Sequence, residues 1–237
     1  MTQREGGRRT DELRSLTIEP DFLEQAHGSA LISLGRTRVL CTATLEEGVP
    51  RWMMGRRKGW LTAEYSMLPA STGQRTAREA SQGKQKGRTV EIQRLIGRAI
   101  RSVLDFETLG ERTLWLDCDV LQADGGTRCA AISGAWVAAA RALGKAGLSR
   151  ALPDSVAAVS LGIVDGELLI DLDYEEDSSA EVDLNLVMTG SERLVEVQAT
   201  AERAPFDRDA LNELLDLGAR GIAEIRVAQE AALDAAG

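Results

Sequence analysis

Polar and apolar residues alternate in two neighbouring runs near the start of the chain, 29–34 (SALISL) and 37–46 (TRVLCTATLE), with Gly35-Arg36 between them. Period-two alternation puts every second side chain on one face, so the pair is expected to form a β-hairpin. The stretch 52–76 (WMMGRRKGWLTAEYSMLPASTGQRT) keeps no period and is expected to be irregular apart from a short strand at 60–65. Thr76-Ala77-Arg78-Glu79 has the spacing of a helix capping box. From 89 to 104 the pattern changes: Val90, Ile92, Leu95, Ile96, Ala99, Ile100, Val103 and Leu104 follow helical spacing, with Arg94, Arg98 and Arg101 as a basic stripe on the other side. A strand is expected at 113–122, burying Leu114, Leu116, Cys118 and Val120 and turning Trp115, Asp117 and Asp119 outward. It runs through Asp124-Gly125-Gly126-Thr127-Arg128 into a small-residue helix over 127–143.

The second half repeats the logic. Segments 156–164 and 167–177 flank the hairpin signal Asp165-Gly166, and 181–189 and 193–202 flank a turn at 190–192. Asp207 can cap a final helix whose apolar stripe is Leu211, Leu214, Leu215, Gly218, Ile222 and Ile225. Hairpins mixed with helices predict an α+β fold with mixed sheets, not a doubly wound parallel one.

With 237 residues and 43% apolar content the chain is expected to form one domain over 1–237. Its first residues lack the apolar segment of a secretory signal, and no run reaches the roughly 20 apolar residues of a membrane span. Cys41, Cys118 and Cys129 form no C-x-x-C pair and read as buried reduced thiols, which suits the cytoplasm. The net charge of −9 argues against a nucleic-acid partner until its distribution is considered. Between Arg51 and Arg101 stand 12 Lys or Arg against three acids, a local excess of +9. That region is either a face for a polyanion or a set of solvated charges flanking helices.

One histidine, His27, leaves a Ser-His-Asp triad improbable, and no zinc spacing, P-loop or dinucleotide fingerprint occurs. Arginines, glycines and carboxylates remain, the tools of phosphoryl transfer. Gly125 and Gly126 permit close backbone approach to a ligand, the helix beginning at Thr127 adds its dipole, and Arg128 offers a bidentate fork for phosphate. The bland reading is a tight turn with Arg128 paired to a surface acid. Arg88 is a second guanidinium that can converge on the same anion. Asp183 and Asn185 share a strand face, and Asp177, at the edge of the preceding acidic loop, can meet Asp183 around Mg²⁺.

Taken together, GWLTAEYSMLP, GRTVEIQRLIGRAIR, DCDVLQADGGTR, DLDYEEDSSAEVDLNLVMT and EVQATAE resemble the bacterial ribonuclease PH family of phosphate-dependent exoribonucleases over nearly the whole chain. The resemblance implies a single domain of two similar β/α halves, ribosomal protein S5 domain 2-like, and a homohexameric ring built as a trimer of dimers. It implies phosphate binding by Arg88, Gly126, Thr127 and Arg128, metal binding and catalysis by Asp177 and Asp183, and RNA contacts by Arg75 and Arg78. The activity implied is phosphorolytic removal of nucleotides beyond the tRNA CCA end, releasing nucleoside diphosphates and reversible as nucleotide addition, with a part in rRNA processing or decay. Inorganic phosphate is then co-substrate, Mg²⁺ the cofactor and tRNA precursors the substrate, with no DNA or membrane partner. The competing reading is a non-catalytic RNA-binding ring subunit. Two departures are Ala70, where the family often has arginine, and Ala199, where it usually has glycine; the second strains the chain if the backbone there needs a positive φ.

Overall fold

A computed structural model describes residues 4–203 and 205–235. Five strands make the first sheet: β1 (Leu16–Pro20), β2 (Gly28–Leu34), β3 (Thr37–Glu47), β4 (Trp60–Met67) and β5 (Arg112–Gln122), in the order β1-β2-β3-β5-β4. All pairs are antiparallel except β4 with β5. Parallel strands need a crossover, and helix α1 (Gly87–Arg101) with the short α2 (Phe106–Leu109) supplies it. Helix α3 (Thr127–Lys145) leads to the second sheet, made of β6 (Val156–Val164), β7 (Glu167–Ile170), β8 (Val182–Thr189) and β9 (Leu194–Ala201) in the order β7-β6-β8-β9. Helix α4 (Tyr174–Ser179) interrupts that sheet and α5 (Arg208–Ala235) closes the fold. The α+β expectation holds.

Helix α3 lies between the sheets and is buried on nearly every side, from Ala130 and Ile132 to Ala138 and Leu143. Its small residues allow that position: a Cβ on Gly28 of β2 would come within 2.1 Å of the Ala138 carbonyl. Val156 and Ala158 of β6 face this helix and join the core that holds Ile32, Leu116 and Ile96, whereas Ala157, Val159 and Leu161 point the other way, toward α5. Strand β6 is therefore apolar on both faces, as its unbroken VAAV start suggests. Asp207 caps α5, accepting the Ala210 N–H at 2.8 Å. Among the described residues no helix is long and apolar enough to cross a membrane. All three cysteines are free and buried.

Three local expectations are corrected. Thr76 makes no capping box; a single 3₁₀ turn begins at Glu79, whose carboxylate accepts from the Lys86 N–H and the Thr89 hydroxyl instead. The basic stripe of α1 is largely engaged, because Arg98 pairs with Glu196 and Arg101 lies over the Trp60 ring while donating to the Leu61 carbonyl. The acidic stretch after β7 is not a loop at Asp177: Asp173 and Glu176 form a reciprocal capping box that starts α4, and Asp177 belongs to that helix.

Candidate active site at the seam of the two halves

Strand β5 ends at Gln122, and the chain must turn sharply to enter α3. Gly125 and Gly126 do this in left-handed backbone, at φ 74° and 65°, a region costly for any residue with a Cβ. Sequence reasoning assigned these glycines to close approach of a ligand. On the Cβ side the neighbour is protein: a methyl on Gly125 would meet the Leu172 carbonyl at 2.4 Å, and one on Gly126 would meet Arg14 Nη2 at 3.1 Å. The pair lets the first half press against the segment that precedes α4. No side chain caps α3 at Gly126, so its first-turn N–H groups, which have no partner within the helix, keep their positive end for a ligand.

Thr127 is buried and its hydroxyl accepts from the Tyr65 phenol at 3.0 Å. Burial pushes that phenol up, against the charges of Arg88 and Arg128 nearby. Arg128 donates to Gln198 of β9 at 2.7 Å and to Glu91 of α1 at 3.2 Å. The acid pairing expected of a plain surface turn is therefore present, yet Arg128 is only 12% exposed and spans both halves. Arg88 stands exposed in the first turn of α1.

The carboxylates complete the constellation. Partial loss of water raises Asp177 above its ordinary range, opposed by Arg88 and Arg128. Asp183 on β8 is raised to about 6, first by loss of water and then by Asp177, with the same two arginines opposing. Asn185 donates to Asp183 at 3.4 Å, and Cys129 Sγ donates to Asn185 at 3.4 Å, tying β8 to α3. The charges of Arg88 and Arg128 thus bear on both Asp177 and Asp183. Among the described residues no group of three or more metal-ligating side chains occurs. The pair still suits a hard cation: it offers oxygen donors only, and a cation in place of a proton relieves the desolvation and repulsion that raise both groups.

Arg75 and Arg78 stand exposed on the loop joining β4 to α1, outside this cluster. Arg78 lines an adjoining cavity of about 630 Å³ that shares Tyr65 with the site, and its charge opposes the burial that raises Asp119. His27 is exposed and its Nδ1 accepts the Leu45 N–H at 3.0 Å. Ala199 pairs regularly with Leu184, exposed and outside the positive-φ residues, so neither strain nor crowding arises there. Ala70 is likewise exposed.

Sequence reasoning missed the arginines that brace the site from behind. Arg14 holds Asp171 through Nε at 2.9 Å and Nη2 at 2.6 Å. Arg4 holds Glu176 at 2.7 and 3.0 Å, and against the upward push of burial it keeps that carboxyl below its ordinary range. The dense arginines of REGGRRTDELR were the visible signal; partners over 150 residues away were not.

Residues 12–143 match the model of the 3′ exoribonuclease family, domain 1, and residues 154–221 match its domain 2. The chain belongs to the ribonuclease PH family of 3′ exoribonucleases. It is 57% identical over 237 residues to ribonuclease PH of Moorella thermoacetica, an alignment covering 97% of this chain and 94% of that protein. It is 57% identical over 228 residues to ribonuclease PH of Bacillus subtilis, covering 94% and 93%. Solved structures share the fold: a chain of the Archaeoglobus fulgidus exosome with RNA bound to the active site superposes with TM-score 0.79 at 24% identity, over 95% of this chain and 92% of that one. Rice (Oryza sativa) Rrp46 superposes with TM-score 0.80 at 20% identity, over 98% of this chain and 100% of that one. In this chain Arg128, at the start of α3 in the first family domain, lies within electrostatic reach of Asp177 and Asp183 in the second.

Proposed function

We propose that this chain is a phosphorolytic 3′-to-5′ exoribonuclease, a tRNA nucleotidyltransferase, whose reaction centre is the seam described above. Inorganic phosphate sits at the uncapped start of α3, held by Arg88, Arg128, Thr127 and the backbone at Gly126. One of its oxygens attacks the last phosphodiester of an RNA 3′ end. The bond from that phosphorus to the preceding 3′ oxygen breaks, giving a nucleoside diphosphate and an RNA one nucleotide shorter; the reverse reaction adds a nucleotide. Two anions must approach, and unit charges at 4 Å repel by about 1 kcal/mol in water and about 4 at an effective dielectric of 20. The two guanidiniums and the helix end offset that repulsion, with no water to activate and hence no need of a histidine base. A proton has to reach the leaving oxygen, and Asp183 can pass one to it through a water.

Asp177 and Asp183 would hold Mg²⁺, which when bound supplies further positive charge to the phosphate oxygens. Arg75 and Arg78, with the loop that carries them, would guide the incoming strand. tRNA precursors are the substrate we assign, rRNA a further one, with the cytoplasm as the setting in which three free thiols persist. A homohexamer, a trimer of dimers, is the assembly we assign on the ring-forming habit of the family. The 1–237 chain is taken as one folding unit because α3 shares a core with both sheets.

The observation that carries the reading is the joint presence of Arg88, Arg128, Asp177 and Asp183 within one electrostatic neighbourhood. It also disfavours a non-catalytic ring subunit, which would have no use for the carboxylate pair. The test incubates the protein with a 3′-extended tRNA and Mg²⁺, with and without phosphate. Nucleoside diphosphates formed only with phosphate are expected; monophosphates, or cleavage indifferent to phosphate, would overturn the reading.

A further inference from the structure

Behind the anion loop lies a buried brace that none of the proposed catalytic groups belongs to. Its centre is Arg14, just ahead of β1, buried to 8% exposure. One Nη donates to the Asp124 carbonyl, and the rest of the guanidinium, together with the Arg14 backbone N–H, is spent on Asp171. Asp171 is fully buried and stands in left-handed backbone at φ 55°. Two residues on, Asp173 starts the helix that carries Asp177. Arg14 therefore joins the loop of one half to the carboxylate segment of the other.

Thr37 holds the same loop from β3. Its hydroxyl accepts the Asp124 N–H at 2.9 Å and donates to the Gly125 carbonyl at 2.7 Å. Two successive carbonyls, those of Asp124 and Gly125, are thus pinned from one side by Arg14 and Thr37. There are no cis peptides among the described residues, and in a trans peptide the N–H points opposite to the C=O. The N–H groups of Gly125 and Gly126 are consequently turned away from the brace.

We infer that Arg14 and Thr37 are positioning residues for phosphate: by fixing these two peptides and the distance from the loop to Asp171, they set the donor geometry that Arg128 and the start of α3 present to the anion. The inference rests on the phosphorolytic reading above. A bidentate guanidinium with a further donor reaching a carbonyl is not reproduced by an ammonium, and a loop freed at its rear loses preorganisation before it loses its fold.

The experiment compares the full-length protein with Thr37→Val, nearly isosteric, and Arg14→Lys, which keeps the charge. KM for phosphate, kcat and Tm are measured for each, with Leu109→Ala, buried in α2 against Gly59, as a control for general destabilisation. The phosphate KM should rise about tenfold in Thr37→Val, which removes both hydrogen bonds of the hydroxyl, while kcat stays within about twofold. Arg14→Lys should move it in the same direction, and the control should lower Tm without moving it. If both variants lower only Tm, or shift KM no more than the control does, the brace is merely structural and the inference fails. Thr37→Val keeps the question decidable if Arg14→Lys does not fold. A parent protein whose cleavage ignores phosphate would refute the underlying reading instead, before any variant is compared.

Discussion

Asp183 shows how one residue's surroundings translate into measurable behaviour. Loss of water, then Asp177, raises its carboxyl to about 6. A carboxylate raised in the folded state favours the protonated form, so its contribution to stability is greatest below its ordinary range near 4 and is lost as pH climbs through about 6. Above that pH Asp183 carries its charge against Asp177, and a cation there is favoured. Mg²⁺ should therefore raise Tm at pH 7.5 and have little effect at pH 5, and Asp183→Asn should abolish the difference; thermal scans with and without Mg²⁺ check both. Arg128 belongs to the same scale. Arg128→Ala removes a guanidinium aimed at phosphate and is expected to lower kcat/KM for phosphate by about a hundredfold, the usual loss for a donor that stabilises developing charge. RNA affinity, read by gel shift, should change little; an equal loss there would assign Arg128 to the RNA track.

At the scale of elements, the turn from β5 into α3 is the tightest constraint. Gly125→Ala meets two penalties: left-handed backbone, and a methyl driven to 2.4 Å from the Leu172 carbonyl. Together these are expected to cost about 2–5 kcal/mol, measured by chemical denaturation. Since Leu172 cannot retreat without moving Asp171 and Asp173, activity should fall further than stability accounts for. The same pair of glycines explains what could and could not be read in advance. Two adjacent glycines before a helix announce a turn of unusual conformation, but the atoms that press against them come from Leu172, 47 residues downstream of Gly125, and from Arg14, 112 residues upstream of Gly126. The α4 helix was hidden for another reason: YEEDSS has no apolar periodicity, and its capping box begins with Asp173 inside a run of acids where any residue could serve as cap.

At the scale of the whole molecule, α3 is shared. It packs on β2, β3 and β5 from one sheet and on β6 from the other, and Gln229 of α5 reaches through to the Ser133 carbonyl at 2.9 Å. The two family domains are thus expected to unfold together. Ile132→Ala, a truncation at the centre of α3, should cost about 2–5 kcal/mol. Heat denaturation followed by tryptophan signals, all from the first half and α3, and by amide exchange in β8 should report a single transition. Two separate transitions would make the halves independent domains.

What the amino-acid order determined alone is whatever depends on local spacing. Period-two runs became β2, β3, β5 and β8, the 3.6-residue stripes became α1 and α5, and GGTR marked the start of α3. Arg88, Arg128, Asp177 and Asp183 were also nameable, because their motifs sit in a recognisable sequence context. Only the tertiary structure decided which arginines are spent. Arg98 and Arg101 went to Glu196 and Trp60, and Arg4 and Arg14 to Glu176 and Asp171, because a guanidinium's partner is set by which distant carboxylate folding brings within about 3 Å, or which ring within about 6 Å. Local patterning constrains directions along an element; pairing across two sheets is a property of how those elements pack, and no spacing along the chain records it.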